Sequence, residues 1–228
     1  MPVYFLTNEL IFPHPSEALE DGLLALGGDL TPERLLLAYK SGIFPWFSEG
    51  SPILWWSPDP RMVLLPEDLK VTKSLTQSLN NADFTVRKDT RFREVIDLCA
   101  KVERKDQDGT WITKEMQDAY IRMHESGYAH SFETYYKDEL VGGLYGLSIG
   151  KAFFGESMFH LKRDASKIAL VHLVEFAINH GFYFIYAQQE TDHLKKLGAK
   201  PVSRSRFLNM LDKAVKEKTT VGPWTALS

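Results

Sequence analysis

The sequence predicts an α+β protein in two parts, a small irregular N-terminal domain over residues 1–60 and a larger mixed-sheet domain over residues 61–228. Three observations predict it. The first sixty residues are rich in Pro, Gly and Trp, with one clear helical pattern. From Arg61 onward the texture changes to alternating strand-like and helix-like segments. With 228 residues, 44% of them hydrophobic, the chain is long enough for one large core and a small annex.

The N-terminal helix opens at Thr31 as N-cap and carries Pro32 in its first position. Leu35, Leu36 and Tyr39 share one face, and Gly42 stops it. Residues 25–29 before it and 43–47 after it are expected to be turns. In the larger part, 63–65 and 84–86 are expected strands. A helix follows Asp89 with Phe92, Val95 and Ile96 on its buried face. Thr113 caps the next helix, which carries Met116, Tyr120 and Met123 and closes at Gly127. Three strands, 129–136, 139–147 and 152–159, are separated by Lys137-Asp138 and Gly150. A largely apolar helix over 165–179, a strand over 182–188 and a short helix over 192–197 complete the core. Helices on both faces of a mixed sheet are the natural packing.

Composition narrows the function classes. A net charge of −3 and a pI of about 6.2 mean that any contact with nucleic acid is local. Cys99, the single cysteine, excludes an internal disulfide framework, and its spacing after Val95 and Ile96 places it in a helix core. No run approaches the roughly 20 apolar residues of a membrane span. The start of the chain lacks the basic-then-apolar pattern of a signal peptide. A reducing cytoplasm fits these features.

The order of hairpin strands, long helix, strand and short helix resembles the fold of the GCN5-related N-acetyltransferases. The motifs resemble something more specific. LLALGGDLTPERLLLAYKSGIFPWFSEGSPILWWSPDPR from Leu23 to Arg61 is similar to the N-terminal block of the leucyl/phenylalanyl-tRNA–protein transferase family. GTWIT from Gly109, LVGGLYG from Leu140, FFGESMF from Phe153, ASK from Ala165 and TDHLKKLGA from Thr191 follow in that family's order. The resemblance spans nearly the whole chain.

It implies an enzyme that moves Leu, Phe or Met from aminoacyl-tRNA to the N-terminal Arg or Lys of acceptor proteins, marking them for degradation. It implies no CoA and no metal, since the tRNA ester already stores the driving force. The residues agree on CoA: loop 161–167, Leu-Lys-Arg-Asp-Ala-Ser-Lys, has no glycine to let backbone N–H groups cradle a pyrophosphate. The implied partners are the 3′ end of aminoacyl-tRNA and a protein N-terminus, with no membrane, and a monomer by default.

By the same resemblance, Trp46 and Trp111 stack the terminal adenosine, a contact suited to a base with a free π-face. Trp55 and Trp56 are expected to hold the two parts together. Leu144, Phe153, Met158, Leu170, Leu173 and Ile185 match the lining of the amino-acid pocket, although each also fits a plain core. Glu156 lies inside a strand, where a core-facing carboxylate requires partners, and corresponds to an acid that holds the aminoacyl-adenosine. Gln188 corresponds to a glutamine beside the attacking amine.

Two departures stand out. The family pattern Asp-x-Gln appears here as Tyr186-Ala187-Gln188. A phenol has a pKa near 10 and is no carboxylate base. Tyr186 is therefore expected to reduce activity, with a binding-only, catalytically impaired member as the alternative. The basic cluster after the first large-domain strand is thinned to Lys70 and Lys73, which implies weaker, less salt-dependent tRNA binding.

Overall fold

A computed structural model describes residues 3–102, 112–188 and 192–227, and the chain is organised on two sheets. The first has four short strands, β1 (Tyr4–Leu6), β2 (Leu23–Gly27), β3 (Phe44–Pro45) and β4 (Leu54–Trp56), in the order β1-β2-β4-β3. Helix α1 (Pro32–Lys40) links β2 to β3. It starts as the sequence predicts: the Thr31 side chain accepts from the Arg34 backbone N–H, and Leu35, Ala38 and Tyr39 are buried.

The chain leaves β4, passes the cis Asp59–Pro60 bond and enters the second sheet at β5 (Arg61–Leu64), which is buried throughout. The other strands are β6 (Phe84–Lys88), β7 (Ala129–Tyr136), β8 (Glu139–Ile149), β9 (Ala152–His160), β10 (Phe184–Ala187) and β11 (Lys200–Val202). Their spatial order is β11-β5-β10-β9-β8-β7-β6. Every neighbouring pair is antiparallel except β9 and β10, which are parallel. Parallel neighbours need a crossover, and α5 (Ala165–Asn179) supplies it.

Helix α5 covers one face of the sheet, together with α2 (Lys73–Leu79). Its sequence is apolar nearly all round because it is buried nearly all round. It sits close to β8 because Gly142 has no side chain: a Cβ there would lie 2.5 Å from the Ala165 Cβ. The other face is covered by α1, α3 (Phe92–Lys101), α4 (Lys114–Glu125) and α7 (Arg204–Val215). Leu35, Tyr39 and Phe44 from the N-terminal segment share one hydrophobic cluster with Phe154, Tyr186 and Phe207. A short helix, α6 (Asp192–Lys196), follows β10.

Several elements differ from the expectations. Residues 25–29 and 43–47 were expected as turns, but β2 and β3 run through them, because pairing with β4 overrides the local Gly and Pro signals. Helices α2 and α7 carried no expectation. Both have a plain Thr or Ser N-cap, at Thr72 and Ser203.

The tightest point of the large sheet is Gly146 on β8. An added Cβ would stand 2.1 Å from the Phe154 carbonyl oxygen and 2.6 Å from the Phe153 ring. Gly146→Ala is expected to lower the unfolding free energy by about 1–3 kcal/mol, the usual cost of forcing atoms into a filled core. Urea denaturation reads this directly, and an unchanged midpoint would contradict the tight packing.

Candidate active site

A β-bulge in β9 creates the site. Tyr145 of β8 pairs with Ser157, and the next residue, Gly146, pairs with Gly155, so Glu156 is an additional residue without a β8 partner. Such a bulge breaks the ladder and re-aims a side chain. β10 follows β9 in register only from Phe184↔Ala152 to Ala187↔Gly155. Beyond that point the two parallel strands no longer pair, and a cavity of about 490 Å³ opens between them.

Its walls are apolar. Leu144 comes from β8, Met158 from β9, Leu170 and Leu173 from α5, Ile185 from β10 and Leu194 from α6. The N-terminal segment closes the opposite side with Phe44, Trp46, Trp56 and Pro58, and Asp21 stands on the same rim. The two indoles lie 5.9 Å apart at 56°, and the Trp56 Nε1–H donates to the Trp46 carbonyl at 2.7 Å, which fixes the pair. Both are half-buried.

The polar groups gather at the bulge. Glu156 is 8% exposed. The Tyr39 hydroxyl is hydrogen-bonded to its Oε1 at 2.7 Å and the Tyr120 hydroxyl to its Oε2 at 3.0 Å. The Gln188 Nε2 donates to Oε2, and the two tyrosine hydroxyls touch each other. Burial pushes the Glu156 pKa up to about 7, although the bonds from Tyr39, Tyr120 and Gln188 favour the charged form. The carboxyl therefore changes charge near neutral pH.

Tyr186 is 1% exposed. Its ring packs 4.8 Å from Phe207, 6.2 Å from Phe154 and 6.3 Å from Phe44, so its bulk fills the core rather than the cavity. Arg61 lies against it, 4.5 Å from the ring centroid. That guanidinium is itself buried, with Nη1 donating to the Gly42 carbonyl at 2.9 Å and to the Ser57 hydroxyl at 3.1 Å. Burial pushes the phenol up to about 12, against the pull of the Arg61 charge. Tyr186 is an uncharged wall at neutral pH.

Trp46, Leu144, Met158, Leu170, Leu173, Ile185, Glu156, Tyr186 and Gln188 therefore meet around one cavity, as a set drawn from the N-terminal segment, three strands, a helix and a loop. Phe153 does not join them. Although it pairs with Ile185, it is fully buried, its ring fills the space left open over Gly146, and it packs 6.2 Å from Trp224. Trp111 lies outside the described residues.

The sequence reading missed Tyr39, Tyr120, Arg61 and the place of Trp56. Both tyrosines sit on apolar helix faces and look like core, which they also are. Trp56 lines the cavity between the N-terminal segment and the large sheet. Trp55 braces the first sheet through Nε1–H donation to the Gly27 carbonyl at 2.8 Å and an edge-on contact with Phe12 at 4.8 Å. Among the described residues, no group of three or more His, Cys, Asp or Glu side chains is placed to hold a metal ion. No helix among them is long and apolar enough to cross a membrane.

Two family models match the chain. One, described as leucyl/phenylalanyl-tRNA protein transferase, covers residues 63–212, and the other, described as the N-terminal domain of the same, covers residues 28–59. A protein of Syntrophobacter fumaroxidans named leucyl/phenylalanyl-tRNA–protein transferase is 53% identical over 224 residues, 98% of this chain and 96% of the relative. One of that name from Myxococcus xanthus is 53% identical over 227 residues, 99% of this chain and 97% of the relative. Among solved structures, a GCN5-related N-acetyltransferase from Kribbella flavida is similar at a TM-score of 0.41 and 10% identity, over 75% of this chain and 61% of that one.

The raised pKa of Glu156 gives a signed stability prediction. Its folded-state value, about 7, exceeds the ordinary 4.5, so the folded state holds a proton that the unfolded state releases. That contribution is fully present below about pH 4.5 and is lost as pH rises through about 7. Relative to Glu156→Gln, the unfolding free energy is expected to fall by roughly 3 kcal/mol between about pH 4 and pH 8. Parallel pH-stability curves for the two proteins would show that Glu156 does not titrate in this range.

Proposed function

Because the chain belongs to the leucyl/phenylalanyl-tRNA–protein transferase family, we propose that the cavity beside the β9 bulge binds the aminoacyl end of tRNA and presents its ester to a protein N-terminus. The protein is an aminoacyltransferase: it transfers an amino acid from aminoacyl-tRNA to protein N-termini. The observation that carries the site assignment is the single cavity with greasy walls, two indoles on one side and the Glu156–Gln188 pair at its edge.

Each part has a task in this reading. The walls formed by Leu144, Met158, Leu170, Leu173 and Ile185 take the side chain of Leu, Met or Phe. Discrimination among such side chains by apolar contact alone is worth about 1–3 kcal/mol per methylene. Trp46, steadied by Trp56, stacks on the terminal adenine. Glu156 holds the aminoacyl-adenosine through its ribose or α-amine, and Gln188 sits beside the incoming amine. With the Gln188 nitrogen bonded to Glu156, the amide oxygen is left to accept from that amine.

The reaction needs positioning more than a strong base. The acceptor nitrogen attacks the ester carbonyl, the new C–N bond forms, the C–O bond to the ribose breaks, and the ribose oxygen takes up a proton. An α-amine has a pKa near 8, so part of it is already deprotonated at neutral pH. Holding it against an activated ester supplies most of the remaining advantage. A carboxylate at position 186 is not required by this chemistry, and nothing in the comparisons supports an impaired, binding-only member. The reading extends to acceptors that begin with Arg or Lys, to a monomer working in the cytoplasm, and to a reaction driven by the tRNA ester without CoA or metal.

Labelled leucine is expected to pass from Leu-tRNA to an Arg-initiated peptide. Absence of transfer at high enzyme concentration would sink the reading. Trp46→Ala is expected to raise KM for aminoacyl-tRNA by on the order of tenfold, since stacking on one base contributes about 1–3 kcal/mol. An unchanged KM would remove Trp46 from the adenine site.

A further inference from the structure

The hydroxyls around Glu156 bring too few hydrogens to satisfy its ionised form. Three oxygen–oxygen contacts close a ring: Tyr39 with Oε1, Tyr120 with Oε2, and Tyr39 with Tyr120. Each contact needs one hydrogen between its oxygens. The two phenols bring one each. The contacts are direct, so each hydrogen has to come from one of the two oxygens it lies between, and the third can come only from the carboxyl. With an ionised carboxylate, both phenols must donate to it, and their own oxygens then face each other without a hydrogen. With a protonated carboxyl, every contact is satisfied: Glu156 donates to Tyr39, Tyr39 to Tyr120, and Tyr120 back to Oε2.

This ring also decides how Gln188 stands. The one carboxyl hydrogen is committed to Tyr39, so Oε2 can only accept. Gln188 therefore has to present its NH₂ group, as observed, and its amide oxygen points away from Glu156. We infer that Tyr39, contributed by the N-terminal segment, is a positioning residue for transfer: with Tyr120 it fixes the proton on Glu156 in the free protein and thereby orients the Gln188 amide for the acceptor amine. The last step rests on the transferase reading, whereas the proton placement stands without it.

The groups facing Glu156 come from every element packed on it. They are Tyr39 of α1, Tyr120 of α4 with Tyr145 of β8 beside it, Gln188 after β10, and Tyr186 of β10 with Arg61 behind it. Among the described residues, none of these groups brings a second carboxylate. Without the Tyr39 hydroxyl the protonated form loses two bonds of the ring, Glu156 to Tyr39 and Tyr39 to Tyr120, whereas the ionised form loses one and no longer sets two phenol oxygens against each other without a hydrogen. Tyr39→Phe is therefore expected to make Glu156 easier to ionise. It also frees the carboxyl hydrogen to turn toward Gln188, whose amide can then flip.

Two measurements test this. Infrared difference spectra of the free protein, with Glu156→Gln as the blank, follow the protonated carboxyl band across neutral pH. In Tyr39→Phe its midpoint is expected to move to lower pH. Steady-state transfer is expected to show kcat down by about tenfold, the loss of one oriented hydrogen bond, while KM for aminoacyl-tRNA stays within about twofold. The melting curve of the variant sets the folded fraction for both. An unmoved midpoint, or a kcat loss explained by the folded fraction alone, overturns the inference. Failure of the wild-type protein to transfer at all defeats the functional reading but leaves the infrared result to decide the proton placement.

Discussion

A carboxyl group removed from water must be given hydrogen-bond partners, and this molecule gathers them from three parts of the chain. Glu156 is the extra residue of a bulge in β9. Its partners come from α1, α4 and the loop after β10. The same bulge ends the pairing of β9 with β10 and opens the cavity between them. One departure from regular sheet geometry thus yields both an apolar pocket and the polar group at its edge. Gly146 on the neighbouring strand and Phe153 beneath it fill the space around the irregularity.

The N-terminal segment is part of this site rather than an attachment to it. Trp46 and Trp56 form one wall of the cavity, Phe44 stands behind them, and Tyr39 reaches the carboxyl from α1. A large sheet with its helices would retain the apolar walls from β8, β9, β10 and α5 but would lose both indoles and one of the three contacts that hold Glu156. Burial of Tyr39 among Phe154 and its neighbours fixes where α1 can sit. The geometry of the polar network therefore depends on ordinary hydrophobic packing between the two sheets.

Much of this was legible in the sequence, for reasons that differ between elements. The helices α1 and α4 declare themselves through caps and apolar spacing, α3 through its apolar face, α5 through its nearly unbroken apolar run, and β7, β8 and β9 through their turns. β2 and β3 hid behind Gly and Pro, because pairing with β4 is a property of the fold and not of those residues. The apolar lining of the cavity could be named only through resemblance, and Phe153 shows the limit of that route: a residue can match a pocket position and still turn its ring toward a neighbouring glycine. Tyr39 and Tyr120 were invisible for a different reason. A tyrosine on a buried helix face has the same spacing whether its hydroxyl meets a carboxyl or not. Position 186 illustrates a third case. The substitution of an aromatic for an acid looked like damage on paper, whereas in the fold the ring is absorbed by Phe44, Phe154, Phe207 and Arg61.

Arg61 has one more consequence. Its guanidinium is held by a carbonyl of the first sixty residues on one side and by aromatic rings from β10 and α7 on the other. Separating those layers would cost the guanidinium its Gly42 and Ser57 acceptors while the rings still cover its other side. The charge thereby ties the two sheets together, and heat or denaturant is expected to meet them as one cooperative unit.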